Sequence, residues 1–358
     1  MNASVVERLT DAAIKAFLLA FRLVIIVVVI GGSALTIASG RYSVETWIAL
    51  VVSGASLGSV YALIALGYTM VYGILRMINF AHGEIFMGGA FAGYFTAVVL
   101  DGAGVLNYSP ITAILSVVIM IAVAMAISTT LALIVERVAY RPLRNAPRLV
   151  PLISAIGASF VLQYTFRGFF GSGLYAYPAV DLLSERVPIP LVTMRWVDLL
   201  VIVAALAMMT GLYLFVMRSK MGTAIRAVSE DKSTAALMGI DVNRAIVTTF
   251  ALGAAMAGAA GVLYALMFRQ VTFFSGFIPG IKAFTAAVLG GIGNVPGAML
   301  GGLFLGQVES IGPTLFLDGI GVPSPNQLKD VIAFTMLVLI LVFRPSGILG
   351  ERIARGRA

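Results

Sequence analysis

The chain has 358 residues, 60% of them hydrophobic and 11% charged, with a formal net charge of +8. Soluble domains carry roughly 25% charged residues, so this composition excludes a soluble domain of any size and points to an all-α, polytopic transmembrane bundle. Zero cysteines exclude disulfides, thiolate metal sites and cysteine nucleophiles, and the single histidine, His82, excludes a histidine-rich metal site, so no cofactor is expected.

Residues 1–43 read as an extra N-terminal transmembrane helix. Arg8, Lys15 and the small residues near Gly40 would also suit a cleaved signal peptide, but the apolar stretch at 17–38 reaches the length of a full span, which favours a retained helix. Further apolar runs at 48–73, 85–100, 110–135, 151–170, 197–217, 245–268 and 330–344 bring the count to about eight spans, each long enough for a hydrocarbon core near 30 Å. With both termini cytoplasmic, one face collects Arg76, Arg137, Arg141, Arg144, Arg218, Lys220, Arg226, Lys232, Arg244 and the basic tail 351–358. The excess charge then follows the positive-inside rule and sets topology, with no nucleic acid partner required.

Two interruptions break the apolar pattern. At 67–84, GYTMVYGILRMINFAHGE, a span gives way to a short polar tract holding Asn79, Phe80, His82 and Glu84. Lipid offers no hydrogen-bond partners to broken backbone, so such a tract survives only inside protein or along a watery path. At 282–312 the segment must return to the side it started from, or the Arg-rich C-terminus falls outside. Gly290, Gly291, Gly293, Asn294, Pro296 and Gly297 supply the bend, so two half-helices in a re-entrant hairpin are expected. GGIGNVPG lacks the strand context and glycine spacing of a nucleotide loop.

Gly58–Leu63 and Gly261–Leu266 match at several positions and run in opposite directions across the membrane, as an inverted repeat would. That arrangement brings the interruptions to a central passage. Asn79, Phe80, His82, Glu84, Lys282, Phe284 and Asn294 are the candidate path residues, with Met77, Phe80 and Phe284 as a slippery apolar wall. The alternative is that His82 only satisfies backbone freed by the break.

The loop 218–244 is longer than a connector needs. Ser229 is placed to cap a short helix with Glu230 and Asp231 in its first turn, Gly239 to end it, and Asp241 to cap the next span. Leu237 and Met238 would then form an apolar knob for a cytoplasmic partner. No P-loop occurs, and acidic residues within spans are scarce, Glu84 and Glu309 being the plausible ones, so energy for transport is expected from another polypeptide.

Four segments, GYTMVYGILRMINFAHGE at 67–84, ERVAYRPLRNAPRLVPLISAIG at 136–157, AVSEDKSTAALMGID at 227–241 and KAFTAAVLGGIGNVPGAMLGGLFLG at 282–306, resemble the LivH-type permeases of bacterial branched-chain amino acid ABC transporters. The resemblance covers about 44–350, read as the ABC permease membrane domain. It implies the bacterial inner membrane, a LivM-type second permease subunit, two cytoplasmic ATP-binding subunits and a periplasmic substrate-binding protein delivering leucine, isoleucine or valine. It also implies a coupling loop formed by Ser229, Glu230, Asp231, Ala236, Leu237, Met238 and Gly239. The poor match at 171–196 leaves urea or short amides open as solutes, and an ion-coupled carrier is the alternative mechanism.

Overall fold

A computed structural model of the protein describes residues 3–144, 146–147, 149–189, 192–343 and 347–349. Among them are nine helices long and apolar enough to cross a membrane and one shorter apolar helix. α1 (Ala3–Ile26) runs through a π-helical turn at Val27–Gly31 into α2 (Gly32–Ala38), followed by α3 (Val44–Leu75), α4 (His82–Gly102) and α5 (Pro110–Val135). α6 (Leu149–Phe170), a single turn α7 (Asp181–Ser184) and α8 (Trp196–Arg218) lead to two surface helices, α9 (Lys220–Glu230) and α10 (Lys232–Leu237). The chain continues through α11 (Val242–Phe268), α12 (Phe277–Gly290), α13 (Val295–Gly312) and α14 (Lys329–Phe343). A two-stranded antiparallel ribbon pairs β1 (Tyr175–Ala176) with β2 (Gln270–Val271).

Local chemistry explains the ends of these helices. Ser43 accepts from the Thr46 amide to start α3, and Ser109 forms a capping box with Thr112 ahead of Pro110 to start α5. α3 is apolar on every side, so it has no polar face to show and sits at the centre of the bundle, buried over most of its length from Gly54 to Leu75.

The bundle is built from two similar halves of opposite direction. α3 packs on α12 and α13 as α11 packs on α4 and α5, while α4 packs on α5 as α12 packs on α13. The register of this symmetry differs from the six-residue match at Gly58 and Gly261. Arg76 and Arg269 both end their helices in the left-handed conformation, at φ 56°. Each amide donates to the carbonyl four residues back at 2.7 Å. His82 N then donates to Asn79 O as Ser275 N donates to Thr272 O, both at 3.1 Å. The equivalent segments are therefore Arg76–Gly83 and Arg269–Gly276, and they meet: a Cβ on Gly83 would lie 2.7 Å from the Gly276 carbonyl oxygen.

The second interruption consequently lies at 269–276, ahead of α12, and the glycine-rich bend at 291–294 is the tip of the hairpin. The hairpin is also lopsided where two half-helices were expected. α12 has 14 residues, about 21 Å, and is too short to cross. α13 continues through a π-helical turn to Leu317 and is long enough to span, which raises the count to nine among the described residues. α13 lies antiparallel to α3, with Ser310 donating to Leu50 O and Gln307 to Val51 O. The tip is held by a strap after α14: Ile348 N donates to Leu289 O and Leu349 N to Gly290 O. Asn294 completes it by donating to Leu349 O at 2.9 Å.

The N-terminal helix lies at the edge of the bundle. α2 touches the body through Gly32 and Thr36 against Phe316 and Gly319. Leu19, Leu23, Val27 and Ile30 are exposed, as lipid contact requires. The tail 351–358 lies outside the described residues.

Candidate functional site

Two groups of side chains could serve transport. The first is the surface bracket α9–α10. Ser219 caps α9, whose Gly222, Ile225 and Val228 are buried against the bundle, so the bracket is anchored rather than floating. Asp231, not Ser229, caps α10: its carboxylate accepts from Ser233 N at 2.7 Å and Thr234 N at 3.0 Å. The sequence places helix-capping oxygens at both 229 and 231; α9 extends through Glu230 and takes Ser229 into its last turn, where its hydroxyl donates to Arg226 O. The same amide donors hold the Asp231 carboxyl below its usual value. Gly239 takes the left-handed position at φ +82°, and Asp241 caps α11 by accepting from Arg244 N.

The result is an apolar tip. Leu237 is 87% exposed and Met238 78%, flanked by the exposed Ala236, Glu230 and Asp231, while Ala235 is buried beneath them. One arginine ties the bracket to the bundle, and a second braces the start of α11 beside it. Arg76, which ends α3, donates to Ser229 O at 3.3 Å. Arg144 bonds Asn243 at the start of α11 and forms an ion pair with the buried Glu136.

The second group surrounds the first interruption. His82 is buried with its ring against Tyr68, at a centroid distance of 4.8 Å, and over Gly67. Its Nε2 has no hydrogen-bond partner among the described residues. Phe284 lies 5.8 Å from Tyr68 and 6.0 Å from Phe80, so α12 closes an aromatic cluster on the break. Beside it is a cavity of about 200 Å³, with Phe80, Phe160, Phe277 and Ile281 as apolar wall and Glu84 as the charged group. Ser159 donates to Glu84 Oε1 at 3.4 Å, and among the described residues the buried Oε2 has no partner.

The other expected path residues face elsewhere. Asn79 Oδ1 accepts from Tyr140 at 3.0 Å. Asn294 is fully used at the hairpin tip, accepting from Gly297 N as the α13 cap and donating to the strap. Lys282 is buried, with Nζ 2.6 Å from Glu309 Oε1 and 2.6 Å from Asp330 Oδ1; Tyr61 donates to the second Glu309 oxygen at 2.9 Å. Of the two carboxylates singled out within the spans, Glu309 lies in an ion cluster and Glu84 lines the cavity with Ser159 as its partner.

A family model described as the branched-chain amino acid transport system / permease component matches residues 50–341. The chain belongs to this family. It is 44% identical over 303 residues to BraD, a high-affinity branched-chain amino acid transport system permease protein of Pseudomonas aeruginosa, covering 84% of this chain and 94% of the relative. It is 44% identical over 305 residues to LivH of Escherichia coli K12, with the same coverage. The Salmonella typhimurium LivH is 43% identical over 305 residues. The permease region thus includes both interruptions, the bracket and the hairpin, and excludes the helix at 12–38.

Sequence reading of the permease missed Gly67, Tyr68, Ser159 and the arginine tie at Arg76. Tyr68 and Gly67 look like ordinary span residues. A signal for the true repeat is present in RMINFAHG at 76–83 and RQVTFFSG at 269–276, which share Arg, Phe and Gly at the same offsets.

Proposed function

We propose that this permease forms one half of the translocation path of an ATP-driven importer of branched-chain amino acids in the bacterial inner membrane. A second, LivM-like permease subunit supplies the other half. Two ATP-binding subunits dock on the basic, cytoplasmic face, and a binding protein delivers solute from the periplasm. The observation that carries the reading is the Leu237–Met238 tip. Two large apolar side chains on a capped, anchored helix gain nothing from water, and the flanking Glu230 and Asp231 suit a basic groove on a partner.

Phe80, His82, Glu84 and Phe284 serve the path, while Asn79, Lys282 and Asn294 hold the helices that frame it. The cavity offers an apolar wall to an aliphatic side chain and a bare carboxylate to an α-ammonium group. Urea or a short amide has no aliphatic body for Phe277 and Ile281, which favours a branched-chain solute. An ion-coupled carrier needs no docking tip.

The native chain has no cysteine, so single cysteines at 236–239 report without background. In the assembled complex, each is expected to crosslink to an ATP-binding subunit. No crosslink from any of the four, in any nucleotide state, overturns the docking role.

A further inference from the structure

The cavity beside Glu84 has a phenylalanine ring on either side of it in depth. α11 leaves the bracket at Val242, and its 27 residues, about 40 Å, carry Arg269 to the opposite face. α6 also rises from the bracket side, where Arg144 bonds Asn243. Its 22 residues place Ser159 halfway and Arg167 in the last turn. The cavity, lined by Ser159, Glu84 and Gly276, therefore lies at half depth.

The repeat sets the two rings. Phe80 follows Arg76 by four residues, and Phe273 follows Arg269 by four. One ring is thus on the bracket side of the cavity and the other on the far side. Their partners differ. Phe80 lies against the Phe284 ring at 6.0 Å. Phe273 lies under the Arg167 guanidinium, with Cζ 5.4 Å from the ring centroid. Arg167 is eight residues beyond Ser159 on the α6 wall, about 12 Å farther out. Phe273 is three residues before Gly276 on the opposite wall. Tyr164, in the turn below Arg167, faces the same guanidinium at 5.9 Å.

We infer that Phe273, latched by Arg167, is the outer gate of this cavity, the counterpart of an inner gate made by Phe80 on Phe284. A guanidinium stacks on an aromatic face and is held there by the ring quadrupole, so the latch joins α6 to the second interruption across the mouth of the cavity. The contact is side chain on side chain. It opens by a rotamer change of Arg167, with every backbone hydrogen bond of both walls kept. The inner gate is ring on ring and the outer gate is cation on ring, so the two halves of the repeat close by different chemistry. This gate rests on the reading of the cavity as part of the path, and Arg167 acts in it as a positioning residue for Phe273.

The chain has no native cysteine, so Ser159→Cys, one sulfur for one oxygen, reports access to the cavity. The assembled complex is studied without nucleotide in right-side-out and inverted membrane vesicles. A membrane-impermeant cationic methanethiosulfonate is added, and labelling is scored by mass on this chain alone. With both gates native, labelling is expected to be slow from either side. Arg167→Gln and Phe273→Ala each raise the outer-side rate at least fivefold and leave the inner-side rate unchanged, whereas Phe80→Ala does the reverse. Arg167→Lys, which keeps a cation for the ring, stays nearer the native rate than Arg167→Gln. Ile281→Cys on the α12 wall gives the same series if Ser159→Cys does not assemble. Equal outer-side rates in the native and Arg167→Gln chains overturn the gate, and so does a rise from both sides alike, which is what a merely loosened α6 gives. Labelling is read without solute, so a chain that shows this pattern but carries no branched-chain amino acid keeps its gate and loses the transport reading.

Discussion

Gly67→Ala probes the seat of the first interruption directly. A Cβ at 67 would overlap the His82 ring and come within 2.9 Å of the Gly253 carbonyl oxygen. Overpacking of this kind costs about 1–3 kcal/mol. The ring part of that cost disappears in His82→Ser, which places at 82 the residue type found at the equivalent position, Ser275. His82→Ser alone loses the ring contact with Tyr68, worth about 1 kcal/mol. The double variant keeps the Gly253 clash but not the ring overlap, so the two changes are coupled by about 1–2 kcal/mol in the compensating direction. Thermal unfolding of the four proteins in the same detergent reads this as a transition midpoint for the double variant above that of Gly67→Ala. A double variant that melts at or below the sum of the single losses would refute the seating of His82 on Gly67.

Leu237→Asp and Glu230→Lys are each expected to lower uptake and permease-stimulated ATP hydrolysis at least tenfold, with normal amounts of protein in the membrane by immunoblot. Glu84→Gln removes the bare carboxylate and is expected to cut leucine uptake at least fivefold while leaving ATPase assembly intact by co-purification; unchanged uptake removes Glu84 from the path. Glu309→Gln leaves Lys282 with the partly exposed Asp330 as its single counter-charge, and is expected to cost less than the about 3–5 kcal/mol of a buried charge left with no partner. Lys282→Met in the same chain should recover thermal stability relative to Glu309→Gln alone. The Asp231 carboxyl sits below its usual value, so its cap is present above that value and lost as pH falls through the depressed one. Crosslinking at 236–239 should therefore hold steady from neutral pH down to at least the ordinary aspartate value of 3.8.

The parts of the fold legible in the sequence are those written in apolar run length, charge placement and capping residues. Run lengths gave eight of the nine spans found among the described residues, and Gly239 and Asp241 marked the end of the bracket and the start of α11. Ser229 and Asp231 are both good caps, and only the packing of Ile225 and Val228 decides which helix each joins. The second interruption was hidden because Arg269–Gly276 carries no proline, and its Arg269, Gln270, Thr272 and Ser275 read as an ordinary polar turn after a span. Its break is made by two backbone conformations, at Arg269 and in the ribbon, neither of which has a compositional mark. The Gly-rich bend at 291–294 drew attention by composition instead. Lys282 and Glu309 are 27 positions apart, and their pairing depends on the tilt of α12 against α13, which span counting does not fix.

The strap at 347–349 has a consequence for biogenesis. α12 ends inside the bundle with carbonyls at Leu289 and Gly290 that its own helix cannot satisfy, and these accept from Ile348 N and Leu349 N. A ribosome delivers those two amides only after α13 and α14 have been made. Until then the short arm of the hairpin carries bare acceptors in a setting where each costs several kcal/mol. The hairpin therefore closes late, as a keystone set after the arch, and a chain stopped before Gly347 should enter the membrane with its spans in place and its hairpin tip unlocked.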